Sequence, residues 1–336
     1  MYSRSPRVLF ILKRHHHYAL GYGHNRYSGL YNSAKFVADM IDKRASAKIV
    51  EVVDNNDIDR EVSEYQPTHV IIEALWVVPE KFEVLQRLHP TVQWIVRVHS
   101  EIPFLALEGI AIEWIRRYVS YSNVRVSANS PRAKRDLDSI VGADVVVYLP
   151  NYYPQEFEAY QASEFGNEIN VGCFGAIRPL KNQLSQAIAA MSYANRNGLI
   201  LNFFVNAGRV EKGESVLKSL RALFADTPHT LTELGWLNRQ QFLDTMQSMD
   251  LAMSVSLTET FSLVTADAVS QGIPIVTSSE VSWATSPCQA DPTDVRDIEE
   301  KINLALEYPR FNVGFNQHNL RKYSKHSESI WFDYLN

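Results

Sequence analysis

Glu259 and Asp267 stand eight residues apart in a segment that reads Glu-Thr-Phe-Ser-Leu-Val-Thr-Ala-Asp, and Gly272 and Pro274 close it. The acids and hydroxyls can accept and donate hydrogen bonds to a polyhydroxylated ligand. The spacing predicts a loop holding Glu259, a short helix holding Asp267, a stop at Gly272 and a buried strand after Pro274. Ser262 is the candidate N-cap, and the amides near Ser262 and Leu263 can hold a phosphate at the helix N-terminus. A second group lies upstream, in Gly175-Ala-Ile-Arg-Pro-Leu-Lys-Asn182. Arg178 can bind an anion as a fork and Lys181 as a point charge. Either reading, anion site or solvated turn, suits that stretch alone; the acidic segment downstream favours the anion.

Other residues widen the candidate set. His99 ends the strand-like run Trp94-Ile-Val-Arg-Val-His, where an open α/β sheet presents side chains to a ligand; a satisfied structural histidine is the alternative reading. Lys13 and Arg14 precede His15, His16 and His17, with Arg26 beyond. Adjacent histidines diverge and no acid or cysteine completes a set, so the expectation is a substrate-meeting loop and no metal. Gly21, Gly23 and Gly29 make this loop pliable; they do not form GxGxxG, which counts against a nicotinamide enzyme. Trp236, after Gly235, either lines a base pocket or fills core.

The elements that must position these residues alternate. Apolar, β-branched runs at 7–12, 48–53, 68–72, 93–99, 123–129 and 144–149 read as strands, with helices at 29–43 and 82–88. A second series has strands at 170–174, 201–206, 230–234, 251–255 and 273–277. A turn and then a helix are expected from 175 to about 193, further helices at 214–224, 239–249 and 298–306, and a closing helix or helix pair at 316–335. Such alternation predicts parallel sheets covered on both faces. The segment Asn151-Tyr-Tyr-Pro154 and the polar stretch after it mark the boundary. The expected domains are residues 1–150 and 168–315, with a helical segment 316–336 returning toward the first. The fold class is α/β, two facing Rossmann-like domains with a cleft between them.

Composition agrees with two cores. The chain has 336 residues, 46% hydrophobic and 21% charged, and a formal charge of −5. That charge gives no global attraction to nucleic acid or to an anionic membrane. Cys173 and Cys288 are the only cysteines and read as buried thiols of a reducing compartment. The start of the chain shows no secretory pattern and no run has bilayer length, so a cytoplasmic protein without stable membrane insertion is expected.

On Gly175, Lys181, Glu259, Phe261, Asp267, Ala268, Gly272 and Pro274, the chain resembles the retaining GT-B glycosyltransferases of glycosyltransferase family 4. The likeness spans most of the chain and is strongest over residues 171–277. His99, Ser127-Ala-Asn-Ser130 and Pro150-Asn151 match further elements of that family. Where the family carries an arginine directly after the turn glycine, this chain has Ala176, with Arg178 two positions later. The second acid is Asp267 where the family has Glu, and Ser262 stands for a glycine. The resemblance implies metal-independent transfer of a sugar from a nucleotide diphosphate sugar to an acceptor hydroxyl with retention. It implies catalytic roles for His99, Glu259 and Lys181, and donor contacts from Gly29, Arg178, Lys181, Trp236, Phe261, Ser262, Leu263 and Asp267. Arg14, His15, His16, His17 and Arg26 fall on the acceptor side. The expected acceptor is a glycan; a hydroxylated DNA base is the alternative, and a non-catalytic nucleotide-sugar-binding protein or a sugar-phosphate hydrolase or epimerase are others. No cofactor is expected beyond the donor substrate.

Overall fold

A computed structural model describes residues 5–14, 29–162 and 166–336. The chain divides into two compact units, Met1–Pro154 with Tyr323–Asn336, and Gln155–Lys322. Each is built on a parallel six-stranded sheet.

In the first unit the strands are β1 (Arg7–Lys13), β2 (Ser46–Val52), β3 (His69–Glu73), β4 (Gln93–Val98), β5 (Val124–Ala128) and β6 (Val147–Tyr148), in the order β2-β1-β3-β4-β5-β6. The middle of β1 is apolar at every position because both its faces are covered. Leu9 and Ile11 point into one core with Ile58, Val62, Phe82, Leu85, Ile115, Tyr118 and Leu137. Val8, Phe10 and Leu12 point into another with Val37, Met40, Ile41, Trp331 and Leu335. The first core is roofed by α2 (Asp57–Tyr65), α3 (Lys81–Leu88), α5 (Ala111–Tyr118) and α6 (Pro131–Val141), with α4 (Ile102–Leu105) a single turn; the second by α1 (Gly29–Ile41). The helices α2, α4, α5 and α6 are absent from the sequence expectation. In α2 only Ile58 and Val62 are buried, too sparse an apolar stripe to stand out. The start of α6 carries a readable signal, Ser130 as cap, its Oγ accepting from the Ala133 amide at 2.9 Å, then Pro131.

The second unit has β7 (Glu168–Ile177), β8 (Ile200–Val210), β9 (Thr230–Leu234), β10 (Leu251–Ser254), β11 (Ile275–Ser278) and β12 (Gln289–Ala290), ordered β12-β11-β10-β7-β8-β9. Its helices are α7 (Gln183–Arg196), α8 (Glu214–Phe224), α9 (Arg239–Gln247), α10 (Leu263–Ser270) and α11 (Val295–Glu307). The strand β7 continues past the expected turn at Gly175, with a register irregularity between Cys173 and Ile177 and Gly175 at φ +103°. The turn itself is a 3-10 segment, Pro179–Lys181. Chain order reverses between β7 and β10, the position at which open α/β sheets generally hold a ligand. A single helix, α12 (Pro309–Leu335), ends the chain. It starts earlier than the 316 expected, because Asn312 and Asn316 are buried polar partners of β11 and of Thr285 rather than a loop. Cys173 and Cys288 are free and buried, and burial pushes the Cys173 thiol up to about 12.

The helix stop at Gly272 has a steric cause. Its φ is +73°, and an added Cβ would meet the Ala159 carbonyl oxygen at 2.7 Å. Gly314, in α12, has nothing within 4 Å of that position. Gly272→Ala should destabilise the protein by about 1–3 kcal/mol, while Gly314→Ala should be neutral or stabilising by up to about 1 kcal/mol. Thermal unfolding of the two variants beside the parent tests both.

Candidate functional site

At the carboxyl ends of β7 and β10 the structure joins residues far apart in sequence. Asn182, at φ +57°, donates from Nδ2 to the Val255 and Pro292 carbonyls at 3.2 and 2.7 Å. The Leu257 amide donates to the Leu180 carbonyl at 2.9 Å. These bonds clamp the 3-10 turn against the loop after β10, and so Lys181 forms an ion pair with Glu259. The Glu259 amide donates to Glu280 at 3.3 Å. Arg178 pairs with Glu211, which also takes Arg209. Burial raises the Glu211 carboxyl, but Arg209 and Arg178 outweigh it and hold it below the usual value. Three cations, Lys181, Arg178 and Arg209, and three acids, Glu259, Glu280 and Glu211, thus gather at these strand ends. In the same loop, the Ser256 Oγ and Thr258 Oγ1 are buried without a hydrogen-bond partner among the described residues, an unfavourable state that a ligand can relieve.

Ser262 begins α10 in the left-handed region, at φ +59°, the conformation a glycine takes without cost. Its Oγ accepts from the Thr265 amide at 3.3 Å and lies 2.7 Å from Thr265 Oγ1 and 3.1 Å from Ser254 Oγ. Those bonds hold a serine where strain would otherwise favour glycine. Leu263 is the first residue of α10. Phe261 is buried, its ring 5.9 Å from that of Trp283, whose Nε1 donates to the Phe261 carbonyl at 2.7 Å; its place is packing beneath the loop. Asp267, inside α10, is held by the Arg239 fork, both N–O distances 2.6 Å. Trp236 is half-buried after β9, and its backbone approaches β8 so closely that a Cβ on Gly208 would lie 2.7 Å from the Trp236 nitrogen.

In the first unit, His99 follows β4 and is 15% exposed. Its Nε2 donates to Glu73 at the end of β3, and its Nδ1 is 3.5 Å from Asn129 Nδ2. This arrangement places the proton on Nε2. Glu73 is fully buried and also accepts from Arg97 at 3.2 and 3.4 Å. Arg97 in turn donates to the Leu149 and Pro150 carbonyls and, at 2.6 Å, to Asn151 Oδ1. Removing one member of such a buried pair typically costs about 3–5 kcal/mol. Nearby, Glu101 accepts from Ser130 and Arg132. Arg14 is exposed just after β1, its amide donating to the Val52 carbonyl at 2.7 Å. Gly29 opens α1 and is exposed. His15, His16, His17 and Arg26, with Gly21 and Gly23, lie outside the described residues.

Glu73, Arg97, Arg209, Glu211, Arg239 and Glu280 join these clusters without being expected from the sequence. Glu73 and Arg97 had a signal, a charge inside an otherwise apolar buried strand. The others sit on exposed-looking stretches and become visible only by pairing. Among the described residues no group of three or more His, Cys, Asp or Glu is placed to hold a metal ion, and no helix is long and apolar enough to cross a membrane.

The Glu73–His99 pair makes stability acid-sensitive. Burial, with Arg97 beside it, lowers the His99 pKa below its ordinary 6.5 despite Glu73. Burial raises Glu73, but Arg97 and His99 together bring it below its ordinary 4.5. In both cases the unfolded chain binds a proton before the folded one, so stability falls with pH. The histidine contribution is lost as pH drops below about 6.5, the glutamate contribution below about 4.5. Melting temperatures measured from pH 7.5 to 4 should fall on acidification, and His99→Asn should flatten the limb between about 6.5 and 5.

No protein-family model matches the sequence, and no curated protein matches it. Solved structures do. Sucrose-phosphate synthase from Thermosynechococcus elongatus superposes with a TM-score of 0.71 at 13% identity, over 98% of this chain and 98% of that one. An alpha,alpha-trehalose-phosphate synthase (UDP-forming) from Burkholderia vietnamiensis gives 0.71 at 10% identity, over 98% and 96%. Anabaena HepE, in complex with UDP and glucose, gives 0.67 at 13% identity, over 97% and 96%. With two parallel sheets, each flanked by helices, this chain has the two-domain α/β fold called GT-B.

Proposed function

We propose that the protein is a retaining glycosyltransferase, similar to family 4, that moves a sugar from a nucleotide diphosphate sugar to an acceptor hydroxyl on a glycan. The observation that carries the reading is the Lys181–Glu259 pair at the strand-order reversal, with Arg178 on the same side and the capped N-terminus of α10 after it. The neighbours named above support it with their fold, and HepE with the UDP and glucose in its structure.

In this reading residues 168–315 hold the donor. Lys181 and Arg178 give up part of their pairing with Glu259 and Glu211 to the diphosphate, and the amides at Ser262 and Leu263 add donors. Glu259, released from Lys181, accepts hydrogen bonds from sugar hydroxyls, as do Ser256 and Thr258. The bond from the anomeric carbon to the phosphate oxygen breaks and one to the acceptor oxygen forms on the same face. The acceptor proton goes to the leaving phosphate, so no protein nucleophile takes part. Two cations neutralise the leaving group, the task a metal performs in other transferases. His99, positioned by Glu73 in the first unit, contributes a substrate hydrogen bond. Trp236 and the Asp267 region take the nucleoside end. A cytoplasmic location fits a substrate class made there.

A hydroxylated DNA base as acceptor draws on Lys13, Arg14, His15, His16, His17 and Arg26, of which only Lys13 and Arg14 are among the described residues. No observation raises it above the glycan.

Melting the protein with UDP-, GDP-, ADP- and TDP-sugars should single out one donor by a raised unfolding temperature. With that donor, Lys181→Ala should lower transfer by about 100-fold or more while circular dichroism stays that of the parent. Near-parental transfer by the variant would sink the diphosphate assignment, and no shift with any donor would sink the transferase reading.

A further inference from the structure

Asp267 does not present a bare carboxylate. Nη1 of Arg239 donates to Oδ2 and Nη2 to Oδ1, each at 2.6 Å. The Asp267 side chain is 3% exposed and that of Arg239 is 26% exposed. A ligand arriving at this point meets a guanidinium, which donates hydrogen bonds and accepts none. Both partners are anchored from behind. Arg239 is the first residue of α9, whose start is fixed by a capping box between Asn238 and Gln241. Asp267 sits mid-way in α10, between two capped ends. The short aspartate side chain keeps the fork close to the helix, and planar bidentate pairing fixes its direction as well as its place.

We propose that Arg239, and not Asp267, makes the contact with the nucleoside part of the donor, and that Asp267 is the positioning residue that aims it. This rests on the nucleotide-sugar reading above. The ligand chemistry follows from the donor-only guanidinium: Arg239 takes oxygen acceptors, on the ribose or as a base carbonyl. A free carboxylate would instead take the ribose hydroxyl protons. The two assignments therefore predict opposite responses to mutation.

Calorimetric titration of UDP, GDP, TDP and ADP into the full-length protein selects the nucleotide bound most tightly. With that probe, Arg239→Ala should weaken binding about tenfold or more. Asp267→Asn should weaken it too, and the double variant should bind no worse than Arg239→Ala, because the aspartate acts through the arginine. The double variant also removes the uncompensated buried charge that threatens folding of Arg239→Ala alone, and melting curves report on each. Binding unchanged or tightened in Arg239→Ala, with loss in Asp267→Asn, returns the contact to the carboxylate and overturns the proposal. So do losses that simply add in the double variant. Absence of nucleotide binding by the parent protein overturns the donor reading together with this assignment, whereas parental binding that Arg239→Ala leaves intact overturns this assignment alone.

Discussion

A charge at the end of a buried strand must find a partner, and that requirement organises this protein. Parallel strands covered on both faces have no room for polar side chains along their length, so polar chemistry collects at their carboxyl ends. Removing a charge from water there is costly unless an opposite charge and hydrogen bonds compensate. Glu73 with Arg97 and His99, Lys181 with Glu259, and Arg178 with Glu211 answer that demand at strand ends, and Arg239 with Asp267 answers it between α9 and α10.

The pairs differ in depth, and depth separates their roles. Glu73 and Arg97 are fully buried, and Arg97 is tied to the Leu149 and Pro150 carbonyls. They fix the end of the first unit's sheet and hold the His99 ring. The Lys181–Glu259 and Arg178–Glu211 pairs keep partial exposure. Such pairs are weaker and can be exchanged for ligand contacts, because solvent already screens them. A polyanion is the natural competitor for the cations and a polyol for the acids. The same loop keeps buried Ser256 and Thr258 hydroxyls without partners among the described residues, which is where hydrogen-bonding capacity remains to be met.

Local conformation supports this arrangement at small cost. Ser262 occupies a left-handed position, and Asn182 does likewise at the 3-10 turn. Each is compensated by side-chain bonds, Ser262 to the Thr265 amide and Asn182 to two carbonyls. Positions strained and compensated in this way keep the two loops from relaxing away from each other. The fully buried Phe261 and its neighbour Trp283 provide the floor.

Much of the fold was legible in the chain itself. The all-apolar centre of β1, the Glu214–Phe224 helix, the Thr230–Leu234 strand and the Ser262 cap follow from periodicity and capping chemistry, which are local properties. Helices with sparse apolar stripes, such as α2, were not legible, because only contact with the sheet shows which two residues they bury. In the candidate site, sequence named Lys181, Glu259 and Asp267 from motif spacing, yet gave no hint that the first two meet or that the third is covered by Arg239. Pairing across 78 residues for Lys181–Glu259 and across 28 for Asp267–Arg239 depends on which strands lie side by side. Residue type and spacing determined what chemistry was on offer; sheet order decided which charges became neighbours, since electrostatic partnership depends on distance in space and not along the chain.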